Sequence, residues 1–528
     1  MERAVAVIDI GMTNKKVALY DLDLKPISTV RRVFEPLRAG GIETHDLAAM
    51  EEWFLDSLAD AARRFDIRAI AVSTHGATMV CTDSSGNPVA PCIYYTHEPD
   101  TGFHDRFYGE VGAPEALQAV TGTPDLASLI NPAKGLFFLR EKFPGKFARA
   151  EIVLPYPQYW GMRFTGNAGA EGTYIGCHTY LWDWTKERYS SVAERLGVAD
   201  KLPPKLRDSW SVLGRITQRI ARRTGLSADT LVTMGIHDSN ASLLPYLVKY
   251  PRDDFVLNST GSWCVLMHPQ EHYGFAPEEL GKVVFFNRSA YNKPVKTAIF
   301  TGGLEYEAWS KLIAGNAAGI FAKSAALCED PGDDAYPPIL SERSAFILPE
   351  LVPGSGQFPG SRARAVEDGR EYAFADMNSM NSGKTVPGFM RNPGKAMAAL
   401  DLSLAIQTLV ALERAGLRPG AALCTEGGFR ANSDYNRILA AALPENSVYL
   451  TDMAEATSFG AAMTAIAAVE GYSPDALADR FEIEKIPVVP MEGLGAFDAY
   501  RRAWLDLASK NRDDAHARRS DAATSEET

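Results

Sequence analysis

The amino-acid sequence predicts an α/β protein built from two domains. The chain has 528 residues, more than one hydrophobic core usually holds, so we expect two domains of about 250 residues each. Apolar runs typical of buried strands alternate with segments of helical periodicity. A strand–glycine turn–strand pattern at residues 4–21 recurs at 255–267, which indicates a duplicated architecture. We therefore place the domains at 1–248 and 249–508, followed by a disordered tail at 509–528 that is charged and poor in apolar residues.

The composition excludes several classes of protein. With 46% hydrophobic and 23% charged residues, the chain has the balance of an ordinary globular protein. The formal net charge of −12 argues against non-specific binding to nucleic acid or anionic membranes, which both require a basic surface. No apolar run approaches the roughly 18 residues of a membrane-spanning helix, and the six cysteines form no C-x-x-C pair. We expect a cytoplasmic protein with reduced thiols and without nucleic-acid or membrane partners, and leave a homodimer open.

The first predicted hairpin begins with a buried strand at 4–10 and turns through a glycine. Asp9 stands at the end of this strand, and the turn offers close backbone approach and polar side chains at Gly11, Thr13 and Asn14. Such a turn can hold a phosphate with its N–H groups while the carboxylate binds a hydrated magnesium ion. A plain hairpin with a glycine turn is the alternative.

Polar and aromatic residues follow the next predicted strands. His75 and Thr78 come after a strand at 69–73, and His97 follows a short apolar segment. Residues of this kind at strand ends suit sugar recognition, because sugar hydroxyls need paired donors and acceptors. Both histidines could equally be structural, and Glu171, which stands among apolar and aromatic neighbours, could equally belong to a surface turn.

The segment 234–246 predicts a strand, a tight turn and a helix whose first turn carries Asp238. One interpretation is that Asp238 only caps the helix, since aspartate is a favoured N-cap residue. The alternative is a general base aimed at a hydroxyl group.

The second half of the chain adds further turns and helices. A strand at 421–424 runs into Gly427 and Gly428, and a strand–glycine–helix junction of this kind leaves a flat surface that suits an adenosine. Helical periodicity predicts one helix at 132–142 and another at 395–416. Residues 352–394 are rich in Gly, Pro, Ser and Asn, which indicates an insertion or a mobile loop.

The order of these motifs resembles the FGGY family of carbohydrate kinases over nearly the whole chain to about residue 505. The resemblance rests on Asp-Ile-Gly-Met-Thr-Asn at 9–14, His237-Asp238, Ser-Thr-Gly-Ser-Trp at 259–263 and the segment 426–432. Ala-Glu-Ala-Thr at 454–457 is most similar to the L-fuculokinase branch. The resemblance implies a two-domain actin/Hsp70/hexokinase-like (ribonuclease H-like) fold with an active-site cleft between the domains.

The resemblance also implies a role for single positions. Asp238 matches the catalytic base that deprotonates the sugar hydroxyl, and Asp9 belongs to the first phosphate motif as the expected metal ligand. The positions implied to bind ATP are Gly11, Thr13, Asn14, Lys16, Thr260, Gly261, Ser262, Gly303, Gly427, Gly428 and Asn432. The positions implied to bind the sugar are His75, Thr78, His97, Glu171 and Asp238. The sequence departs from the family pattern at three positions. His97 stands where relatives usually carry Asp, Pro99 where many carry Arg, and Phe429 where a third glycine is often found.

The predicted function is therefore transfer of the γ-phosphate of ATP to a hydroxyl of a ketose or related sugar, with Mg²⁺ as cofactor. Its partners would be ATP and a small sugar. One alternative is a nucleotide-switched ATPase of the actin/Hsp70 type without a sugar site, against which Asp238 and the polar positions 75–78, 97 and 171 argue. Another is a sugar-responsive regulator, for which the sequence shows no basic recognition helix.

Overall fold

The computed structural model describes residues 1–12, 14–318, 331–378, 386–453 and 455–524. These residues form two compact units that are discontinuous in sequence. The first unit contains Met1–Arg252, Pro269–Lys296 and Ala454–Ile483, and the second contains Asp253–His268, Thr297–Met453 and Glu484–Thr528. A single cut at 248/249 therefore differs from these units, because two later segments return to the first one.

The strands are defined as follows. In chain order they are β1 (Glu2–Ile10), β2 (Asn14–Asp21), β3 (Pro26–Val33), β4 (Leu37–Ala39), β5 (Ile42–Thr44), β6 (Phe65–Thr74), β7 (Met79–Thr82), β8 (Ile152–Pro155), β9 (Ala170–Glu171), β10 (Trp182–Asp183), β11 (Arg188–Tyr189), β12 (Leu206–Arg207), β13 (Val212–Arg215), β14 (Leu231–Thr233), β15 (Ile236–His237), β16 (Phe255–Thr260), β17 (Cys264–Pro269), β18 (Val284–Arg288), β19 (Pro294–Phe300), β20 (Ala345–Leu348), β21 (Arg364–Glu367), β22 (Arg370–Ala373), β23 (Ala422–Gly427), β24 (Ser447–Thr451) and β25 (Lys485–Pro487).

The α-helices are defined in the same way. They are α1 (Leu47–Ala62), α2 (Phe103–Val111), α3 (Pro114–Thr121), α4 (Pro132–Lys142), α5 (Pro144–Phe147), α6 (Tyr156–Thr165), α7 (Gly172–Ile175), α8 (Ser191–Arg195), α9 (Gln218–Thr224), α10 (Asp238–Lys249), α11 (Gly302–Ala318), α12 (Tyr336–Glu342), α13 (Phe374–Asn378), α14 (Pro393–Ala415), α15 (Ser433–Ala442), α16 (Ala456–Glu470) and α17 (Phe497–Thr524).

The main sheet of the first unit has the strand order β13–β14–β6–β1–β2–β3, and β15 also pairs with β6. β1 pairs antiparallel with β2 and parallel with β6. Residues 4–10 of β1 are all buried, as expected for a central strand that is covered on both faces.

The main sheet of the second unit repeats this arrangement. Among the strands of this unit, the order in the sheet is β19–β17–β16–β23–β24–β25. β16 pairs antiparallel with β17 and parallel with β23, and β24 lies parallel beside β23. Each unit therefore has a hairpin whose first strand also pairs with a parallel strand, which confirms the predicted duplication and α/β class.

Helix α10 is held in place by close packing against α16 within the first unit. An added Cβ at Gly460 of α16 would lie 1.9 Å from the carbonyl oxygen of Ala241 in α10. Real side chains cannot approach a carbonyl so closely, so glycine is required here. The contact fixes the position of α10, whose first residue is Asp238.

Helix α14 is long and apolar enough to cross a membrane by length and composition alone. The sequence prediction had found no such run. However, 94% of its apolar window is buried inside the structure, which is typical of the core helix of a folded domain.

Two other segments also differ from the sequence prediction. The stretch 352–394, predicted as an insertion or a mobile loop, contains β21, β22 and α13, and β20–β21–β22 form a sheet. Residues 379–385 of this stretch lie outside the described residues. The first part of the tail predicted to be disordered, residues 509–524, continues helix α17, and alanine and arginine, which favour helices, are frequent in it. Residues 525–528 of the predicted tail lie outside the described residues.

Candidate functional site

The register of the first sheet brings three sequence-predicted residues to one edge. Asp9 in β1 lies beside Ser73 in β6, and His237 in β15 lies beside Thr74 on the other side of β6. His75 follows Thr74 directly. Because these three strands are parallel, their carboxyl ends meet at the same edge, where α/β proteins usually bind ligands.

Asp238 begins helix α10 at this edge. Its Oδ1 accepts a hydrogen bond from the backbone N–H of Ser239 at 2.7 Å and a longer one from the Ser239 hydroxyl at 3.4 Å. The N-cap position itself is occupied by His237, so Asp238 is the first helical residue, although its carboxylate satisfies one free N–H group of the first turn. The Asp238 side chain keeps 31% of its surface exposed, yet the surrounding protein removes enough water to raise the pKa of its carboxyl to about 6.

Asp9 is the second carboxylate of this edge. Its Oδ2 accepts a hydrogen bond from the Ser458 hydroxyl at 2.7 Å and lies 3.5 Å from Nζ of Lys16. Burial raises the pKa of Asp9; Lys16 and Ser458 oppose this shift, whereas the negative charge of Asp238 adds to it. Asp238 directly follows His237 of β15, so both carboxylates lie at the same edge of the sheet.

Lys16 lies between two carboxylates, because it also pairs with Glu455. Glu455 accepts a second ion pair from Arg31 at 2.6 Å. Sequence analysis missed Glu455 and Ser458 as site residues and used the segment that contains Glu455 only as a family marker. No local pattern could have indicated them, since they meet the first hairpin across more than 400 residues.

The glycine turn of the first hairpin is closed by a hydrogen bond from the N–H of Gly11 to the carbonyl of Asn14 at 3.0 Å. Asn14 is exposed, and Thr13 lies outside the described residues. The buried Lys15 donates from Nζ to the carbonyl of Met12 at 2.7 Å, and burial lowers its pKa to about 8. Lys15 thus stabilises the turn.

His75 and Thr78 are buried and have unsatisfied polar atoms. Nδ1 of His75 lies 2.8 Å from the carbonyl of Gly76, and burial lowers the pKa of the ring to about 3, so the ring is neutral. The backbone of Thr78 is fixed by the hydroxyl of Tyr174, which contacts the Thr78 N–H at 2.9 Å and its carbonyl at 2.5 Å. Nε2 of His75 and Oγ1 of Thr78 have no hydrogen-bond partner in the described part of the chain.

His97 and Glu171 have different surroundings. His97 is half-buried, and its ring packs edge-on against Phe138 at 5.0 Å. Glu171 is completely buried and caps α7, where it accepts hydrogen bonds from the Thr173 N–H, the Thr173 hydroxyl and the Tyr174 N–H at 2.6, 2.8 and 2.8 Å. Burial raises its pKa to about 7 against these hydrogen bonds. The surface-turn alternative is thus wrong for Glu171, whose predicted sugar contact stays a prediction.

The second unit brings Thr260 and Gly427 together, since they are direct neighbours in the parallel pair β16–β23. The Thr260 hydroxyl donates to the carbonyl of Glu426 and accepts from the N–H of Phe429 at 2.9 Å. An added Cβ at Gly427 would lie 2.0 Å from the Thr260 carbonyl oxygen. The hydroxyl that was predicted to bind phosphate is therefore engaged in joining these two segments.

The turn after Thr260 is open to solvent. Gly261 and Ser262 are exposed, and the N–H of Gly261 donates to the carbonyl of Trp263 at 2.9 Å. Gly303 packs against this turn, because its added Cβ would lie 1.9 Å from the Gly261 carbonyl oxygen. Gly428 has more room, with 3.8 Å between its added Cβ and the nearest atom.

The side chain of Asn432 is occupied by hydrogen bonds within the second unit. Its Oδ1 accepts from the Tyr435 N–H at 2.9 Å and caps α15, while its Nδ2 donates to Asp401 at 2.8 Å. Asn432 is also buried. Its predicted contact with adenosine stays a prediction, and the structure gives it a capping role.

Comparison with known proteins agrees with this arrangement. The curated relatives include a rhamnulokinase from Enterococcus faecalis, 25% identical over 277 residues, which are 50% of this chain and 53% of the relative. They also include an L-fuculokinase from Salmonella typhi, 24% identical over 278 residues, which are 50% of this chain and 56% of the relative. The chain thus spans about half the length of the curated relatives it matches.

Solved structures match over a longer span. A carbohydrate kinase from Novosphingobium aromaticivorans has a TM-score of 0.76 and 28% identity, and covers 96% of this chain and 98% of its own. A xylulose kinase from Lactobacillus acidophilus has a TM-score of 0.77 at 15% identity, with 96% and 97% covered, and supports the fold alone. These likenesses confirm the two-domain actin/hexokinase-like fold class.

Two family domains match consecutive parts of the chain. The N-terminal domain of the FGGY family of carbohydrate kinases matches residues 4–245, and the FGGY C-terminal domain matches residues 252–474. Together they account for most of the sequence, and the chain belongs to the FGGY family of carbohydrate kinases.

Proposed function

We propose that this chain is an ATP-dependent sugar kinase that transfers the γ-phosphate of ATP to a hydroxyl of a ketose or related sugar, in an L-fuculokinase-like reaction. The observation that carries the proposal is the pair of carboxylates, Asp9 and Asp238, at one sheet edge of the first unit. Family membership and the relatives named rhamnulokinase and L-fuculokinase support a sugar as the acceptor.

Asp238 is the proposed general base. Ser239 holds its Oδ1, while its Oδ2 has no hydrogen-bond partner in the described part of the chain and is free to accept a proton. In the proposed step the acceptor oxygen bonds to the γ-phosphorus, the bond from that phosphorus to the β–γ bridging oxygen breaks, and ADP leaves. The hydroxyl proton passes to Asp238. The raised pKa of this carboxyl suits a group that must take up a proton near neutral pH.

Asp9 is the proposed magnesium ligand. Its Oδ2 is held by Ser458, whereas its Oδ1 has no hydrogen-bond partner among the described residues. A single carboxylate together with substrate phosphates is a usual way to hold Mg²⁺, so Asp9 fits this ion. When bound, the ion would neutralise charge on the ATP phosphates. Lys16 would add a further positive charge next to Asp9.

The remaining predicted residues divide between the two substrates. His75 and Thr78 are proposed to bind the acceptor, because buried polar atoms without partners are rare in folded proteins and sugar hydroxyls could satisfy them. His97 and Glu171 stay proposed acceptor residues, Glu171 with the added role of fixing α7. The residues proposed to contact ATP are Gly11, Thr13, Asn14, Lys16, Thr260, Gly261, Ser262, Gly303, Gly427, Gly428 and Asn432.

The protein is also proposed to work in the cytoplasm with ATP and a small sugar as its partners. The cysteines at 81, 92, 177, 264 and 424 are free and buried, which is usual in a reducing compartment. Cys328 lies outside the described residues.

A coupled assay of ADP release tests the proposed function. The purified chain would be incubated with Mg²⁺-ATP and a panel of ketoses and polyols with four to six carbons. We expect ADP release that depends on one or a few of these acceptors. ATP hydrolysis at the same rate with and without every acceptor would instead support a nucleotide-switched ATPase.

A further inference from the structure

A cluster of one thiol and two imidazoles lies next to Asp238 within the first unit. Cys177 and His178 follow helix α7, and His237 ends β15. One ligand atom from each of these three residues lies within 4.8 Å of the other two. Sγ of Cys177 is 3.8 Å from Nε2 of His237. The resemblance to sugar kinases assigned no role to Cys177 or His178.

The two imidazoles pack closely against Gly76. An added Cβ at this residue would lie 2.8 Å from Nε2 of His178 and 2.8 Å from Nε2 of His237. Both ring nitrogens therefore face the same small volume, which any side chain at position 76 would fill. Glycine at position 76 therefore lets the nitrogens of His178 and His237 approach each other, and any side chain there would displace at least one of the two rings.

The backbone around the cluster adopts an unfavourable conformation. His178 has φ = 37° and Tyr180 has φ = 59°, both in the left-handed region that non-glycine residues seldom occupy. Such conformations persist where the surrounding structure holds them, and they are frequent at ligand sites. Here the turn brings two adjacent side chains, those of Cys177 and His178, to His237.

We propose that Cys177, His178 and His237 bind a thiophilic divalent cation, for which Zn²⁺ is the best match. Thiolate and imidazole ligands favour Zn²⁺ over Mg²⁺ or Ca²⁺, which prefer oxygen ligands. Zinc bonds of about 2.0–2.3 Å in a tetrahedron separate neighbouring ligand atoms by roughly 3.3–3.8 Å. The sulfur–nitrogen distance of 3.8 Å lies at the upper end of this range, and the wider separations in the cluster, up to 4.8 Å, would have to shorten when the ion binds.

The carboxylate of Asp238 borders the cluster. Its Oδ1 lies 3.3 Å from Nε2 of His237. Binding would release the thiol proton of Cys177 to solvent, because the thiolate is the form that coordinates a metal. A zinc ion bound to His237 would lie next to the proposed base Asp238. Only this consequence of the zinc proposal rests on the proposed function.

Cobalt spectroscopy on the full chain tests the site without ATP or sugar, and its outcome is therefore independent of kinase activity. Co²⁺ titrated into the protein should give one equivalent of a thiolate-to-cobalt charge-transfer band with strong four-coordinate d–d bands, and Zn²⁺ should displace it. Cys177→Ser should abolish the charge-transfer band. His178→Gln and Gly76→Ala should weaken binding by more than the ~10–100-fold that follows loss of an outer-shell partner.

Matched substitutions outside the cluster serve as controls. Cys92→Ser and His104→Gln change the same residue types elsewhere in the first unit and should leave the cobalt spectrum unchanged. Circular dichroism checks that each variant is folded. If Cys177→Ser does not fold, cobalt binding to the His178→Gln variant, at a half-buried position, provides the test. Wild-type protein without a charge-transfer band, or an unchanged band in folded Cys177→Ser, would overturn the proposal.

Discussion

Replacing Asp238 with asparagine should nearly abolish phosphoryl transfer. The amide oxygen can still accept the 2.7 Å hydrogen bond from the Ser239 N–H, so the start of α10 should keep its geometry. The amide cannot take the proton of the acceptor hydroxyl, which in the wild type would pass to the free oxygen of Asp238. Since general-base catalysis is usually worth about 10²–10⁴-fold, we expect kcat to fall by that factor.

The same substitution should not lower the stability of the protein. It removes a negative charge from the first turn of α10, where the helix dipole favours that charge by about 0.3–1 kcal/mol. In the opposite direction, the raised pKa shows that the surrounding protein disfavours the charge. The second effect is the larger one, because a pKa raised from 3.8 to about 6 corresponds to up to about 3 kcal/mol, reduced by the solvent that reaches the exposed 31% of the side chain. We therefore expect the free energy of unfolding of Asp238→Asn at pH 7 to equal that of the wild type or to exceed it by up to about 2 kcal/mol.

Three quantities would be compared between the variant and the wild type. They are kcat for ADP release, the affinity for nucleotide measured by calorimetry, and the urea midpoint of unfolding. Ser239→Ala is the matched control, because it removes only the 3.4 Å side-chain hydrogen bond and keeps the carboxylate. Loss of this hydrogen bond, which is worth about 0.5–1.5 kcal/mol, should lower kcat of Ser239→Ala by only about 2–10-fold. Asp238→Asn protein that binds ATP and turns over at nearly the wild-type rate would refute the proposed base.

The remaining predictions concern buried polar residues. Glu350 is 4% exposed, and burial together with the charge of Glu305 raises its pKa to about 7. Because the folded protein holds this proton more tightly than the unfolded chain does, the protein becomes less stable as pH rises. From this group alone, the free energy of unfolding of the wild type should fall by up to about 3 kcal/mol between pH 4.5 and 7. Glu350→Gln should remove that dependence in urea titrations across this range. Thr260→Val should lower the unfolding free energy by about 1–3 kcal/mol, because two buried partners lose a hydrogen bond; an unchanged urea midpoint with a raised ATP KM would instead indicate a phosphate contact. Glu171→Ala should raise the sugar KM about 10–100-fold in the ADP-release assay if the carboxylate also binds the acceptor, and unchanged sugar kinetics would limit Glu171 to its capping role.

Local sequence signals were sufficient for the long helices and for the hairpins. The helix predicted at 132–142 is observed over the same residues as α4, where Asn131 caps it and Pro132 starts it. The helix predicted at 395–416 is observed as Pro393–Ala415. Apolar periodicity together with a capping residue is sufficient to predict such helices from the local sequence.

Elements that depend on distant partners were not predictable in this way. The strands β21 and β22 occur in a stretch whose Gly, Pro and Ser content indicated a loop. β21 has buried residues and pairs with β20, which comes earlier in the chain. Composition alone cannot reveal such pairing, because the strand gains its stability from the neighbouring strand rather than from its own sequence.

The candidate site also depends on residues that are distant in sequence. Sequence patterns indicated Asp9 and Lys16, but the groups that stabilise their charges, Ser458 and Glu455, belong to the segment that returns to the first unit. A buried carboxylate without such partners is costly, and it would take up a proton instead of holding a cation. A fragment that ends at residue 248 would lack both partners, together with Gly460, on which the packing of α10 depends. The carboxylate pair therefore requires residues 455–483 as well as the N-terminal half of the chain.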